Sequence, residues 1–212
     1  MGAGRRRTPD PVAEVRALPG IVLFSLTMWL LAGCAVGPEP VDHHFRLIAE
    51  PPAALSAPAL PGTLMVKRFS ADGLLGQRPV VFAKATSPQT LHQYNYHFWA
   101  DAPTVMLQEL VAKVLRSAGV ADQVTTPAHG GGAEHVLVGR IERLEHLVGE
   151  TPAVIVALEL GVYHGARREL VWLRSYVDQR PVGAAGVAAA ASAMSDATSR
   201  ILSRFLKDLA VR

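Results

Sequence analysis

Residues 152–177 read PAVIVALELGVYHGARRELVWLRSYV and contain the pattern that decides the fold. Apolar residues recur at every second position in the first half: Val154, Val156, Leu158, Leu160 and Val162. This period of two is typical of a β-strand, whose successive side chains point to opposite faces. The second half, 169–177, alternates in the same way. Because only residues 165–168 separate the halves, the sequence predicts an antiparallel hairpin.

Two helical patterns accompany this hairpin. Asp101 and Pro103 predict a helix start, with the acid as N-cap and the proline in the first turn, and Gly119 predicts its C-terminal end. A second helix is predicted over about 186–209. Its stripe at near-heptad spacing contains Val187, Ala191, Met194, Thr198, Ile201, Phe205 and Leu209. We expect this stripe to pack on the sheet.

The remaining segments extend the sheet. Residues 64–69, 79–85, 91–99 and 135–146 are expected to be strands, whereas the proline-rich stretch 50–61 predicts extended chain. Strands and helices in this order predict an α+β fold, with an antiparallel sheet covered by helices on one face in a single domain.

Composition narrows the class of protein. Half of the 212 residues are hydrophobic and 18% are charged, which excludes a disordered chain. The net charge is +3, but the first 33 residues hold four arginines against Asp10 and Glu14. Without these residues the net charge of the chain is close to zero, which gives no electrostatic reason to expect nucleic-acid binding.

The N-terminus has the features of an export signal. Three arginines at 5–7 precede an apolar run at 21–31 (IVLFSLTMWLL). A helix of that length rises about 16 Å, which is too short to span a bilayer but suits a signal peptide. The run ends in Leu31-Ala32-Gly33-Cys34, which resembles the lipobox of bacterial lipoproteins. The alternative is an ordinary signal peptide that happens to contain a cysteine.

Cys34 is the chain's single cysteine, so it has no disulfide partner within the chain. We predict cleavage before Cys34 and acylation of it by diacylglycerol and palmitate-type chains, which hold the protein on a membrane. Ala35 and Val36 follow it without an aspartate, and similarity to lipoprotein sorting then favours the inner face of the outer membrane. The predicted organisation is a signal peptide at 1–33, a lipidated linker with a short strand at 34–62 and the α+β domain at 63–212.

The polar residues show no catalytic pattern. The eight histidines form neither an HExxH motif nor a helical i, i+4 pair, and no Gly-x-Ser-x-Gly motif occurs. The glycines at 130–132 lack the lysine and hydroxyl residue of a phosphate-binding loop. We therefore predict no catalytic residues, no metal site and no cofactor.

Aromatic residues are concentrated in 91–99 (LHQYNYHFW). On a regular strand Tyr94, Tyr96 and Phe98 share one face, and His97 and Trp99 lie on the other. One interpretation is that one of these faces packs under the helices. The other is that the opposite face contacts a protein or lipid partner, since aromatic residues dominate interface energetics. The candidate partner-binding residues are Tyr96, His97 and Trp99.

Several segments together resemble a known family. They read LMVKRF (64–69), LLGQRPVVFAKA (74–85), YNYHFWADAPTVMLQELVAKVLRSAGV (94–120), VLVGRIERLEH (136–146) and VAAAASAMSDATSRILSRFLKDL (187–209). The chain is similar over about 44–209 to the ABC-type transport auxiliary lipoproteins, the PqiC-like group. It departs from the family pattern at Phe45-Arg46-Leu47, where Tyr-x-Leu is frequent, and at Phe98, where a basic residue is frequent.

The resemblance implies a non-enzymatic periplasmic accessory of an MCE-type lipid transport system. Its partners would be an MCE-domain protein and ABC transporter components, with phospholipid as a further ligand and self-association into a homo-oligomer left open. The alternative is a different outer-membrane lipoprotein, either a hydrolase with a dispersed site or an envelope-assembly factor.

Overall fold

The computed structural model describes residues 39–50 and 52–211. Cys34 and the predicted signal peptide lie outside these residues. One compact unit begins at Val41 and extends to the C-terminus. Its nine strands are β1 (His43–Phe45), β2 (Leu60–Val66), β3 (Ser70–Ala71), β4 (Pro79–Lys84), β5 (Ser87–Trp99), β6 (Ala121–Thr125), β7 (His135–Val148), β8 (Ala153–His164) and β9 (Glu169–Pro181). Its two α-helices are α1 (Pro103–Ser117) and α2 (Val187–Ala210).

The long strand β7 organises the sheet. Along one of its edges it pairs in succession with β2, β3 and β4, all of them parallel to it. Along the other edge it pairs antiparallel with β8, which continues to β9. The α+β class is confirmed, but the sheet is mixed, which the prediction of an antiparallel sheet did not anticipate. The parallel pairs arise because the chain passes through α1 between β4 and β7, a crossover connection that returns it in the same direction.

The predicted hairpin is confirmed as β8 and β9, with Leu158 opposite Tyr176. Helix α2 packs across both strands, and its predicted stripe is buried at Val187, Met194, Ile201 and Phe205. The ring of Phe205 meets that of Tyr176 edge to face, with 6.0 Å between ring centroids. Hairpin and helix therefore form one apolar core.

Helix α1 begins one residue later than the predicted cap requires. Ala102 occupies the N-cap without a side-chain hydrogen bond, so the prediction of Asp101 as N-cap was wrong. Pro103 is the first helical residue, where its missing N–H costs no hydrogen bond. Gly119 ends the helix as expected, with φ of +65° and its N–H donating to the carbonyl of Arg116.

Residues 46–50 and 52–59 form neither helix nor strand, and residues on either side of the proline-rich stretch contribute to the core. Leu47, Ala49 and Leu60 are buried. The amides of Leu55 and Leu60 donate to the carbonyl groups of Ala118 and Val120, at 2.9 and 3.0 Å. These bonds fasten the segment to the chain that follows α1.

Candidate partner-binding surface and adjacent groove

The short strand β1 forms one edge of the sheet, where it pairs in parallel with β5. The register sets His43 opposite His97 and Phe45 opposite Trp99. The His43 and His97 rings stack with 5.2 Å between centroids, and the Phe45 ring lies parallel to His97 at 6.0 Å. Aromatic side chains therefore connect the two strands.

The ring contacts continue towards the middle of the sheet. Tyr94 contacts His97 edge to face at 5.6 Å and lies 4.5 Å from Phe82 on β4. Its hydroxyl group is 3.0 Å from Nδ1 of His146 on β7. We call this series of rings across four strands the aromatic strip. It comprises His43, Phe45, Phe82, His92, Tyr94, His97 and His146.

An irregularity in strand pairing brings these rings together. The register between β4 and β5 shifts from Pro79 opposite Phe98 to Val81 opposite Gln93. Strand β5 thus contains extra residues between these pairs, and the bulge lets Tyr94 and His97 meet although they are three residues apart. The faces expected from a regular strand do not apply here.

Burial shifts the pKa values of three side chains in the strip. Desolvation lowers the pKa of His146, and desolvation together with the charge of nearby His43 lowers the pKa of His97. Burial raises the pKa of Tyr94, whose hydroxyl group stays protonated. In addition, Nε2 of His146 is buried without a hydrogen-bond partner among the described residues. Burial therefore favours the neutral forms of Tyr94, His97 and His146.

The predicted partner-binding residues have different environments. Tyr96 is exposed over 44% of its surface and is the most accessible of the three. His97 is partly buried within the aromatic strip. Trp99 is 1% exposed and belongs to the core, because its strand turns inward before α1. We therefore exclude Trp99 from the accessible surface and retain Tyr96 and His97.

A groove next to β1 was not predicted from the sequence. It lies between residues 45–50 and the first half of α2, has a volume of about 600 Å³, and includes Arg180 at the end of β9. The amide of Ile48 donates to Oγ of Ser195 at 3.1 Å, which fastens the segment to the helix. The sequence analysis had noted only one feature of this groove, the tripeptide Phe45-Arg46-Leu47, which departs from the family pattern.

Two further properties concern the described residues. No group of three or more histidine, cysteine, aspartate or glutamate side chains among them is arranged to hold a metal ion. Neither α1 nor α2 is both long enough and apolar enough to cross a membrane.

Comparison with solved structures supports the fold. XCC0632 from Xanthomonas campestris is 19% identical, with a TM-score of 0.69 over 78% of this chain and 93% of that protein. A second, uncharacterised protein is 11% identical, with a TM-score of 0.63 over 80% of this chain and 99% of that one. At these identities the likeness concerns the fold alone. The sequence matches no curated protein.

The family comparison covers most of the sequence. The model of the ABC-type transport auxiliary lipoprotein component matches residues 45–204, from β1 to the last turns of α2. The match includes the whole groove, the aromatic strip except His43, and the buried stripe of α2 as far as Ile201. The chain therefore belongs to the ABC-type transport auxiliary lipoprotein family.

Proposed function

We propose that the protein is a lipid-anchored periplasmic accessory subunit of an ABC/MCE-type intermembrane phospholipid transport system. The observation that carries this proposal is the family match over residues 45–204. The protein would act by binding an MCE-domain protein and transporter components rather than by catalysis. The stacked rings of the aromatic strip, among them Tyr94 and His97, supply contact surface for a partner.

The anchor would be a lipid on Cys34, with residues 1–33 removed as a signal peptide. From Cys34 to His43 the chain can span at most about 30 Å when fully extended. This short tether would keep β1 and the aromatic strip near the membrane surface. The absence of an aspartate after Cys34 supports the inner face of the outer membrane.

The contact with the partner would use the edge formed by β1 and β5. Among the described residues strand β1 has one neighbour in the sheet, so its other edge can pair with an added strand. Tyr96 and His97 lie beside it and supply ring surface, of the kind that contributes most to interface affinity. Exposed Val41 adds an apolar side chain immediately before β1.

Photo-cross-linking in intact cells tests this contact. A photoreactive phenylalanine replaces Tyr96 in one variant and Lys113, an exposed residue of α1, in a matched control. We expect position 96, and not position 113, to cross-link to the MCE-domain protein. Equal cross-linking at both positions, or none at position 96, would rule out this docking surface.

The anchor needs a separate test. Metabolic labelling with a fatty-acid analogue should mark the wild type but not Cys34→Ala, and the wild type should fractionate with the outer membrane. Labelling of the alanine variant would show that Cys34 is not the lipid acceptor.

A further inference from the structure

The groove beside β1 contains charged side chains of both signs that do not pair with one another. Arg46 and Arg180 are among its cationic lining residues, and Glu50 and Asp196 are its anionic ones. Among the described residues, none of these four has an oppositely charged group within 4.0 Å. Two arginines and two carboxylates of the groove are therefore available to bind a ligand.

The third arginine of the groove differs from these two. Nε of Arg200 lies 3.3 Å from Oδ2 of Asp178, a carboxylate oxygen that Arg204 also contacts at 3.5 Å, so Arg200 is already engaged in an ion pair within the protein. The unpaired charges that remain are two cations and two anions. Such a lining favours a ligand that carries both a negative and a positive group, because a purely anionic ligand would meet Glu50 and Asp196 unfavourably.

Apolar and hydroxyl side chains complete the lining. Phe45, Ala188 and Ala191 contribute ring and methyl surface, and Ile48 adds an apolar side chain that is 68% exposed. The hydroxyl groups of the groove belong to Ser192, Ser195 and Ser199, spaced three and four residues apart on one face of α2. Charged groups beside apolar surface suit an amphiphile.

We propose that this groove binds the headgroup of an aminophospholipid, with its phosphate on Arg46 and Arg180 and its primary ammonium on Glu50 and Asp196. Guanidinium groups bind phosphate through paired hydrogen bonds, and a primary ammonium donates three hydrogen bonds to carboxylates. The glycerol and the first acyl carbons lie along Phe45 and Ile48. The volume of about 600 Å³ is within the range of small-ligand sites.

The choice of a lipid as the ligand rests on the proposed function in lipid transport, whereas the charge pattern of the ligand follows from the groove itself. A lipid and a free phosphoamine such as O-phosphoethanolamine share the same polar chemistry. The proposal commits to the lipid because of the exposed apolar wall, which a free phosphoamine would leave uncovered.

Photo-labelling of the lipidated, processed chain in phosphatidylcholine vesicles tests the proposal. The vesicles carry either photoactivatable phosphatidylethanolamine or photoactivatable phosphatidylglycerol. The quaternary ammonium of the background lipid cannot donate hydrogen bonds to carboxylates, so it competes weakly. We expect about tenfold more labelling of groove residues by phosphatidylethanolamine than by phosphatidylglycerol. Equal labelling by the two lipids would overturn the assignment.

Variants separate the two halves of the site. The double change Arg46→Gln with Arg180→Gln should reduce labelling by both lipids about tenfold. The double change Glu50→Gln with Asp196→Asn should abolish the preference for phosphatidylethanolamine. A matched control, Lys113→Gln with Arg167→Gln, removes two exposed cations outside the groove and should label like the wild type. Wild-type labelling in the arginine variant would refute the site.

Two further measurements show which part of the proposal is wrong if the expected labelling is not found. O-phosphoethanolamine, added at the lipid's concentration, should leave labelling unchanged, and complete inhibition would mean that the groove binds the free compound instead. Cross-linking from position 96 is measured on the same variants in cells. Cross-linking from position 96 together with arginine-variant labelling as strong as that of the wild type overturns the groove alone. Reduced labelling of the arginine variant without cross-linking from position 96 in the wild type overturns the proposed docking surface alone.

Discussion

Two regions of the sheet are built from different side chains. One is the hairpin β8–β9 under α2, and the other is the edge formed by β1, β5 and β4. The hairpin and helix bury aliphatic residues, and β8 is buried on both faces except at Glu159 and the last residues near the turn. The β1–β5–β4 edge instead carries histidine, tyrosine and phenylalanine rings, several of them accessible. The first region contributes mainly to stability, and the second offers a surface for binding.

The difference is informative because the two regions belong to one sheet. Strand β7 pairs with β8 on one edge and with β4 on the other. Leu144 and His146 both lie on this strand, two residues apart. At Leu144 the partner is Val156, an aliphatic residue; at His146 the side chain reaches Tyr94. The change from aliphatic core to polar aromatic strip therefore takes place within two residues of β7.

The largest effect on stability should come from the core side. Phe205 is fully buried and its ring contacts Tyr176, so Phe205→Ala removes a large side chain and leaves a cavity. Such truncations cost about 3–5 kcal/mol, and we expect a loss of that size in the free energy of unfolding. Urea denaturation of both proteins measures it.

The matched control is Lys207→Ala, two residues further along the same helix and exposed. Its free energy of unfolding should stay within about 0.5 kcal/mol of the wild type. If α2 were a detachable docking helix, Phe205→Ala would unfold like the wild type and lose partner binding instead.

The sequence predicted the core side well because there a regular period coincides with burial. The stripe of α2 repeats near seven residues and coincides with its buried face, whereas the alternation from Val154 to Val162 predicted the strand although both of its faces are buried. The aromatic segment was correctly predicted as a strand, but the faces expected from a regular strand do not apply to it. The bulge between the Pro79 and Val81 pairings changes which side chains share a face, and a bulge leaves no period in the sequence.

Other features depend on residues far apart in the chain. The parallel pairing of β7 with β2, β3 and β4 follows from a crossover, and the hairpin pattern alone cannot reveal it. The groove combines Arg46 with Arg180 and Asp196, which come from both ends of the domain. Such sites become visible only when the topology brings their parts together.

Lowering the pH should reduce the free energy of unfolding by an intermediate amount. Burial lowers the pKa of His146 in the folded protein, so the unfolded chain binds a proton more readily. Stability from this group is fully present above about pH 6.5 and is lost as pH falls towards the folded pKa. The slope is at most about 1.4 kcal/mol per pH unit for one histidine. Urea denaturation at a series of pH values from neutral to acidic measures it.

His146→Gln should flatten this dependence, since glutamine does not titrate and can still donate to or accept from the Tyr94 hydroxyl group. His129→Gln, at an exposed position in a short 3-10 helix, serves as the control and should keep the wild-type dependence. The lowered pKa values of His97 and His135 act in the same direction, so some dependence should remain in the His146 variant. Identical pH profiles for wild type and His146→Gln would contradict the burial argument.

The smallest effect on stability should come from the accessible edge. Tyr96 is 44% exposed, and among the described residues its ring stacks with none of the rings of the aromatic strip. Tyr96→Ala should therefore change the free energy of unfolding by no more than about 0.5 kcal/mol, as surface substitutions usually do. Trp99→Ala, three residues further along β5, is the contrasting variant and should cost about 3–5 kcal/mol because Trp99 is buried. If Tyr96→Ala were as destabilising as Trp99→Ala, Tyr96 would be a structural residue, and the β1–β5 edge would lose its most accessible candidate for binding a partner.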